Sequence, residues 1–132
     1  MDMSAEAMRD GFIAPRVLKA RWADSPEVFK AASPIVRITA DAPDFFVLHG
    51  SHDTLVDVGQ ARKFVEKLRE VSRASVVYAE LPGAQHAFEV FHSIRSGHAV
   101  SAVDRYLNWH WNTWRSGVEA DSGVDPEELD AG

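Results

Sequence analysis

Phe45-Phe46-Val47-Leu48 runs into His49-Gly50-Ser51-His52-Asp53, and Val76-Val77-Tyr78-Ala79-Glu80-Leu81 runs into Pro82-Gly83-Ala84-Gln85-His86-Ala87-Phe88. Each is an apolar run ending in a polar, turn-forming loop. The first, Phe45 to Leu48, is apolar at every position, which suits a parallel strand buried on both faces better than a half-exposed antiparallel one. Between the two runs, Val58, Ala61, Phe64, Val65, Leu68 and Val71 recur at helical spacing among Arg62, Lys63, Glu66, Lys67, Arg69 and Glu70. That pattern predicts an amphipathic helix over 58–71. Asp57 before it, with Gln60 three residues on, is a capping-box pattern. Strand, helix and strand make one βαβ unit, whose crossover is right-handed and whose strands are parallel. Asp53 and His86 then lie just past the carboxyl ends of neighbouring strands, in the crevice where open parallel sheets place their ligands.

Upstream, Ser25-Pro26-Glu27 starts a helix with Ser as N-cap, Pro at the first helical position and an acid in the first turn, and Ser33-Pro34 stops it. Ile35 to Ile38 is expected to be a short extended piece, and Asp41-Ala42-Pro43-Asp44 turns the chain into the first strand. Residues 1–24 are weakly patterned, with Gly11 and Pro15 interrupting any single helix. Downstream, Val100, Val103, Tyr106, Leu107, Trp111 and Trp114 predict a second amphipathic helix over 97–114, and residues 89–96 read equally as loop or first helical turn.

A chain of 132 residues is one domain at most, long enough for a core but short for an α/β enzyme with a closed pocket. There is no cysteine, so disulfides and thiolate metal sites are excluded. No apolar run approaches the roughly 20 residues needed to cross a bilayer, and Met1 to Glu6 lacks the features of a signal peptide; a cytoplasmic chain is expected. The net charge of −6 is local. Glu119, Asp121, Asp125, Glu127, Glu128 and Asp130 account for six of the 20 acids, leaving 14 against 14 basic residues. A neutral body without a basic stripe speaks against nucleic-acid binding. Two segments are expected: a domain over 1–116 and a disordered acidic tail over 117–132.

Each candidate residue has a plain reading beside a chemical one. Asp53 follows the permissive Gly50; it is either a turn-former bonding nearby backbone or an acid that orients a histidine and stabilises the imidazolium. His86 sits among Gly83, Ala84 and Ala87, which allow a tight loop that Phe88 can anchor; alone it would be a surface histidine, but Asp53 gives it a partner across one βαβ unit. His49, His52 and Asp53 are ligand-type side chains. No two histidines stand at the i, i+4 helical spacing, and nothing obvious converges His49 with His52, so neither metal nor cofactor is expected. His92, His98, His110 and Trp109, Trp111, Trp114 read as core or interface residues. No two of the eight glycines are four apart, so Gly-x-Ser-x-Gly occurs nowhere; Gly-x-Gly-x-x-Gly, the phosphate-loop motif and His-Gly-Gly are also absent.

From Ser25 to Trp114 the motifs resemble the C-terminal part of α/β-hydrolase esterases and lipases similar to the hormone-sensitive-lipase group, of actinobacterial carboxylesterase type. The resemblance rests on Ser25-Pro26-Glu27-Val28-Phe29, Ala32-Ser33-Pro34, Ala42-Pro43, Phe46-Val47-Leu48-His49-Gly50 with an acid three residues later, and Leu81-Pro82-Gly83-Ala84-Gln85-His86-Ala87-Phe88. It implies an α/β fold, the C-terminal βαβα portion of a doubly wound parallel sheet, incomplete as an isolated chain. It implies Asp53 as the triad acid and His86 as the triad base, in the chain order Ser, Asp, His. Asp57 stands where the pattern has proline, a change of helix cap.

The nucleophile elbow and the oxyanion loop of that pattern have no counterpart in these 132 residues, and Ser51, Ser93 and Ser96 are poorly placed to replace the serine. The leading expectation is therefore the acid–histidine part of a serine ester hydrolase, inactive alone, acting on a small-molecule ester or lipid in the complete enzyme. The alternative is a non-catalytic half-domain that self-associates or pairs with an N-terminal half through its exposed strand edge or tryptophan-bearing helix.

Overall fold

The computed structural model describes residues 14–122, in two compact units: one ends at His86 and the other begins at Ala87. The first unit opens with a π-helical turn, Ala14–Leu18. Helix α1, Pro26–Ala32, follows, with Pro26 at its first position as its sequence requires. Ser25 occupies the N-cap position without making a side-chain cap bond, so Pro26 and the first-turn Glu27 remain as the start signals. The helix buries Phe29, which meets Trp22 edge-on at 5.5 Å. The stop is side-chain driven: the buried Ser33 hydroxyl donates back to Phe29 O at 2.8 Å.

Residues 34–37 correct the expected extended piece: Pro34–Arg37 is a 3-10 helix. Proline fixes its own φ near the helical value, and the turn closes through Val36 N to Ser33 O at 3.2 Å. Arg37 donates from Nε to Ala31 O at 2.9 Å, tying the turn to the end of α1. β-Branched Ile35 and Val36 favour a strand only where a neighbouring strand offers pairing, which this segment lacks.

Strand β1, Phe45–Gly50, and strand β2, Val76–Leu81, form a two-stranded parallel sheet in the register Phe45↔Val76 through Gly50↔Leu81. β1 is two residues longer than its apolar run, because pairing of His49 with Glu80 and Gly50 with Leu81 continues the ladder. Helix α2, Val58–Val71, connects the strands with the bounds its periodicity predicts, and buries Ala61, Val65 and Leu68. The Asp57 carboxylate caps it by accepting from Gly59 N at 2.8 Å. Glycine makes that approach possible, since a Cβ at residue 59 would lie 2.6 Å from Asp57 Oδ1. The helix ends where Ser72 returns both its N–H and its hydroxyl to Leu68 O at 2.8 Å.

α2 lies against the face of the sheet that carries Phe45, Val47 and His49. Phe64 meets Phe45 edge-on at 5.6 Å, and full burial of Leu68 contributes roughly 1.5–3 kcal/mol. A polar pair stands at the other end of this contact: Arg62 donates to both oxygens of Glu80, at 2.9 and 2.6 Å, and Tyr78 OH donates to Glu80 Oε2 at 2.9 Å. The acid-loop end of the helix is thereby held over the end of β2.

The second unit holds a 3-10 turn, Phe88–Val90, and helix α3, Ile94–Ser122. Its start resolves the ambiguity at 89–96 with a reciprocal serine cap. Ser96 N donates to Ser93 Oγ at 3.1 Å, and Ser93 N donates to Ser96 Oγ at 2.8 Å. α3 runs past Trp114, where the apolar spacing stops, so 117–122 is helical rather than tail. Propagation adds a hydrogen bond per residue once a helix exists and needs no apolar face. The remaining tail residues, 123–132, and the lead-in 1–13 lie outside the described residues.

Hydrogen bonds from Arg62 and Tyr78 hold the Glu80 carboxyl down to about 2. A carboxylate with a depressed folded pKa stabilises the fold above its unfolded value, near 4.3, and loses that contribution as pH falls toward 2. Glu80→Gln is therefore expected to flatten the acid-induced loss of stability between about pH 4.3 and 2, measured by urea denaturation across that range. A loss with the wild-type slope would contradict the pairing.

Candidate active site

The two loops past the sheet are fastened to each other mainly through backbone. Ser51 N donates to Leu81 O at 3.0 Å, extending the strand ladder by one bond, and His52 N donates to Ala84 O at 3.0 Å. Ser51 Oγ accepts from Gly83 N at 2.9 Å. Gly50 is required by this closeness: a Cβ there would lie 2.4 Å from Ala84 O and 2.7 Å from Ala84 C. Gly83, at φ 70°, supplies the left-handed turn that sends the chain on toward His86.

Asp53 uses its two oxygens differently. Oδ1 accepts from Leu55 N at 2.9 Å and Val56 N at 2.7 Å, the bonds of a turn-forming Asp. Oδ2 faces His86 Nδ1 at 2.9 Å, a bond across 33 residues of chain. The Asp53 side chain is only 5% exposed, while that of His86 is 45% exposed. Burial pushes the Asp53 carboxyl up, but the bonds from Val56 N, His86 and Leu55 N together outweigh it and leave the group below its ordinary value. The result is a sheltered carboxylate holding one nitrogen of an accessible imidazole. A carboxylate can only accept, so Nδ1 carries the proton and Nε2 is the nitrogen that can take one from a substrate or nucleophile.

A second imidazole completes the surroundings of Asp53. His49 Nε2 lies 3.0 Å from Val56 O and 3.4 Å from Asp53 Oδ2, with the His49 side chain 16% exposed. The sequence offered His49 only as a ligand-type residue. Its inward placement was available from strand alternation, which puts it on the same face as Phe45 and Val47. His52 is turned to the neighbouring Ser51 hydroxyl at 3.1 Å. Among the described residues no three His, Asp or Glu side chains form a metal-ligand group. The three candidate serines are engaged locally: Ser51 with Gly83 and His52, and Ser93 and Ser96 with each other and, through Ser96, with Phe91 O. An apolar groove of about 400 Å³ between Pro34, Ile38, Pro43, Phe45 and Phe64 includes neither Asp53 nor His86 in its lining.

In sequence this chain is similar to esterases, and its small parallel sheet with helices is consistent with a partial α/β fold like that of its structural neighbours. The BD-FAE family model matches residues 4–68. The chain is 52% identical over 93 residues to the probable carboxylic ester hydrolase LipM of Mycobacterium tuberculosis, covering 70% of this chain and 22% of LipM. It is 51% identical over 94 residues to esterase LipC of the same organism, covering 70% of this chain and 23% of LipC. The chain thus spans less than a quarter of the length of the curated relatives it matches. In fold, it superposes on the propionate-bound esterase Est2 of Thermogutta terrifontis with a TM-score of 0.59 at 22% identity, over 73% of this chain and 38% of Est2. Among the described residues no helix is long and apolar enough to cross a membrane.

Gly50→Ala should force the His86 loop away from the acid loop. The expected outcome is a loss of about 1–3 kcal/mol in urea denaturation, as for overpacking elsewhere, with shifted amide signals from 82–86. A variant of wild-type stability with unmoved signals would show that the loop contact is looser than described.

Proposed function

We propose that this chain supplies the acid and the histidine of a Ser–His–Asp triad in a carboxylic ester hydrolase. The observation that carries the proposal is the 2.9 Å contact between the sheltered Asp53 and the accessible His86. It is supported by the chain's relationship to esterases. In this reading His86 Nε2 removes the proton of an attacking serine as general base, then returns it to the leaving alcohol as general acid. Asp53 keeps the proton on Nδ1 and stabilises the imidazolium formed in between. The substrate is a small-molecule ester or a lipid ester.

The serine that attacks is not one of the hydroxyls near this pair. Gly-x-Ser-x-Gly is absent from the 132 residues, and Ser51 is already committed to Gly83 N and His52. The chain alone therefore does not turn over esters, and the active unit includes a nucleophile-bearing half, joined or associated. The sheet supports the need for a partner. Among the described residues it has two strands, each with one edge free to pair, and such edges invite further strands.

Two measurements test this. The isolated chain is expected to leave p-nitrophenyl butyrate unhydrolysed; turnover that disappears in His86→Ala would contradict the absence of a nucleophile. For the roles of the pair, the matching stretch of this chain is grafted in place of its counterpart in LipC. The chimaera should hydrolyse the ester, and Asp53→Asn within it should cost roughly 10⁴ in kcat, as for other triads. A loss below about tenfold would place the acid elsewhere.

A further inference from the structure

The Asp53 carboxylate has a second imidazole against it, and the surroundings of that ring fix what it can do. His49 Nε2 is 3.0 Å from Val56 O and 3.4 Å from Asp53 Oδ2. A carbonyl oxygen can only accept, so the neutral ring must carry its proton on Nε2 and donate it to Val56 O, with Asp53 Oδ2 nearby. Glu80, the register partner of His49 on β2, is the other acid that could compete for that proton. It is already occupied by two bonds from Arg62 and one from Tyr78. The hydrogen bond of His49 is to Val56, and its interaction with Glu80 is electrostatic only.

This contact answers a geometric need. The two backbone donors at Asp53 both bond Oδ1, so the plane of the carboxylate, and with it the direction of Oδ2, follows the turn that carries Leu55 and Val56. Oδ2 must point at His86 Nδ1 for the pair to work. His86 is on an exposed side chain in a loop, whereas His49 is on strand β1 and mostly buried, a firm support for the Val56 turn that it bonds. We propose that His49 is a positioning residue, whose Nε2–H bond to Val56 O holds the turn that orients Asp53, so that Oδ2 fixes the Nδ1–H tautomer of His86. Val56 belongs to the same device. Its N–H holds Oδ1 while its carbonyl holds His49, so one residue links the buried ring to the carboxylate. The inference rests on the triad reading above in giving this tautomer a catalytic purpose, but the positioning itself is readable without turnover.

The test is long-range ¹H–¹⁵N correlation of the histidine rings in the full chain at mildly alkaline pH, for wild type, His49→Gln and His49→Phe. In wild type, His49 is expected as the Nε2–H tautomer and His86 as the Nδ1–H tautomer, which free histidine disfavours. Gln keeps an N–H donor at about the reach of Nε2 and should leave His86 Nδ1-protonated. Phe keeps the ring volume without the donor and should turn His86 largely to Nε2–H. Folding of each variant is checked in the same samples by amide dispersion. A folded His49→Phe with His86 unchanged, or a wild-type His49 unprotonated at Nε2, overturns the positioning role and leaves the Asp53–His86 reading standing. If the Phe variant does not fold, the Gln variant decides: His86 kept Nδ1-protonated supports the role, and its loss overturns it. A wild-type His86 found as Nε2–H would instead sink the triad reading itself, and the positioning role with it.

Discussion

The carboxylate of Asp53 is a small group asked to satisfy four neighbours, and most of the first unit's loop architecture serves that demand. Two backbone N–H groups hold one oxygen, and two imidazoles face the other. With so little solvent, a carboxylate would be driven toward its neutral form; the donors reverse that and keep the group charged. The four neighbours come from three structural sources. Leu55 and Val56 belong to the turn that Asp53 itself nucleates, His49 to the last paired stretch of β1, and His86 to the loop beyond β2.

That convergence depends on parallel pairing. A βαβ unit delivers two strand ends to the same edge of the sheet, and the bonds from Ser51 to Leu81 and from His52 to Ala84 carry the pairing past the strands into the loops. Gly50 sets the distance between them, since any side chain there would occupy the space of Ala84 O. Helix α2 fixes the unit from behind, by Phe64 on Phe45 at one end and Arg62 on Glu80 at the other.

Much of this is readable without coordinates. Helix α2 and strand β2 have the bounds their residues predict, because both carry strong local signals and bury their apolar side chains against each other. Asp53 and His86 are brought together as parallel topology requires. Where reading fails, the deciding interaction is not local. Residues 34–37 look extended from β-branched Ile35 and Val36, yet coil into a 3-10 turn that Pro34 and the reach of Arg37 to Ala31 set. The end of α3 escapes because helix propagation leaves no apolar signature. His49 escapes as a neighbour of Asp53 because its nearest partner is a backbone carbonyl, Val56 O, which no side-chain motif records.

The central claim, that Asp53 is a charged carboxylate held by donors on both oxygens, is tested most directly by following its ¹³Cγ signal through an acid titration of the full chain. The account predicts a midpoint below the ordinary value of about 3.9 for an aspartate, with the His86 Nδ1–H signal persisting until that carboxylate protonates. A midpoint at or above the ordinary value, with the His86 proton signal already absent at neutral pH, would mean that burial outweighs the donors and that the acid and the histidine are not a pair.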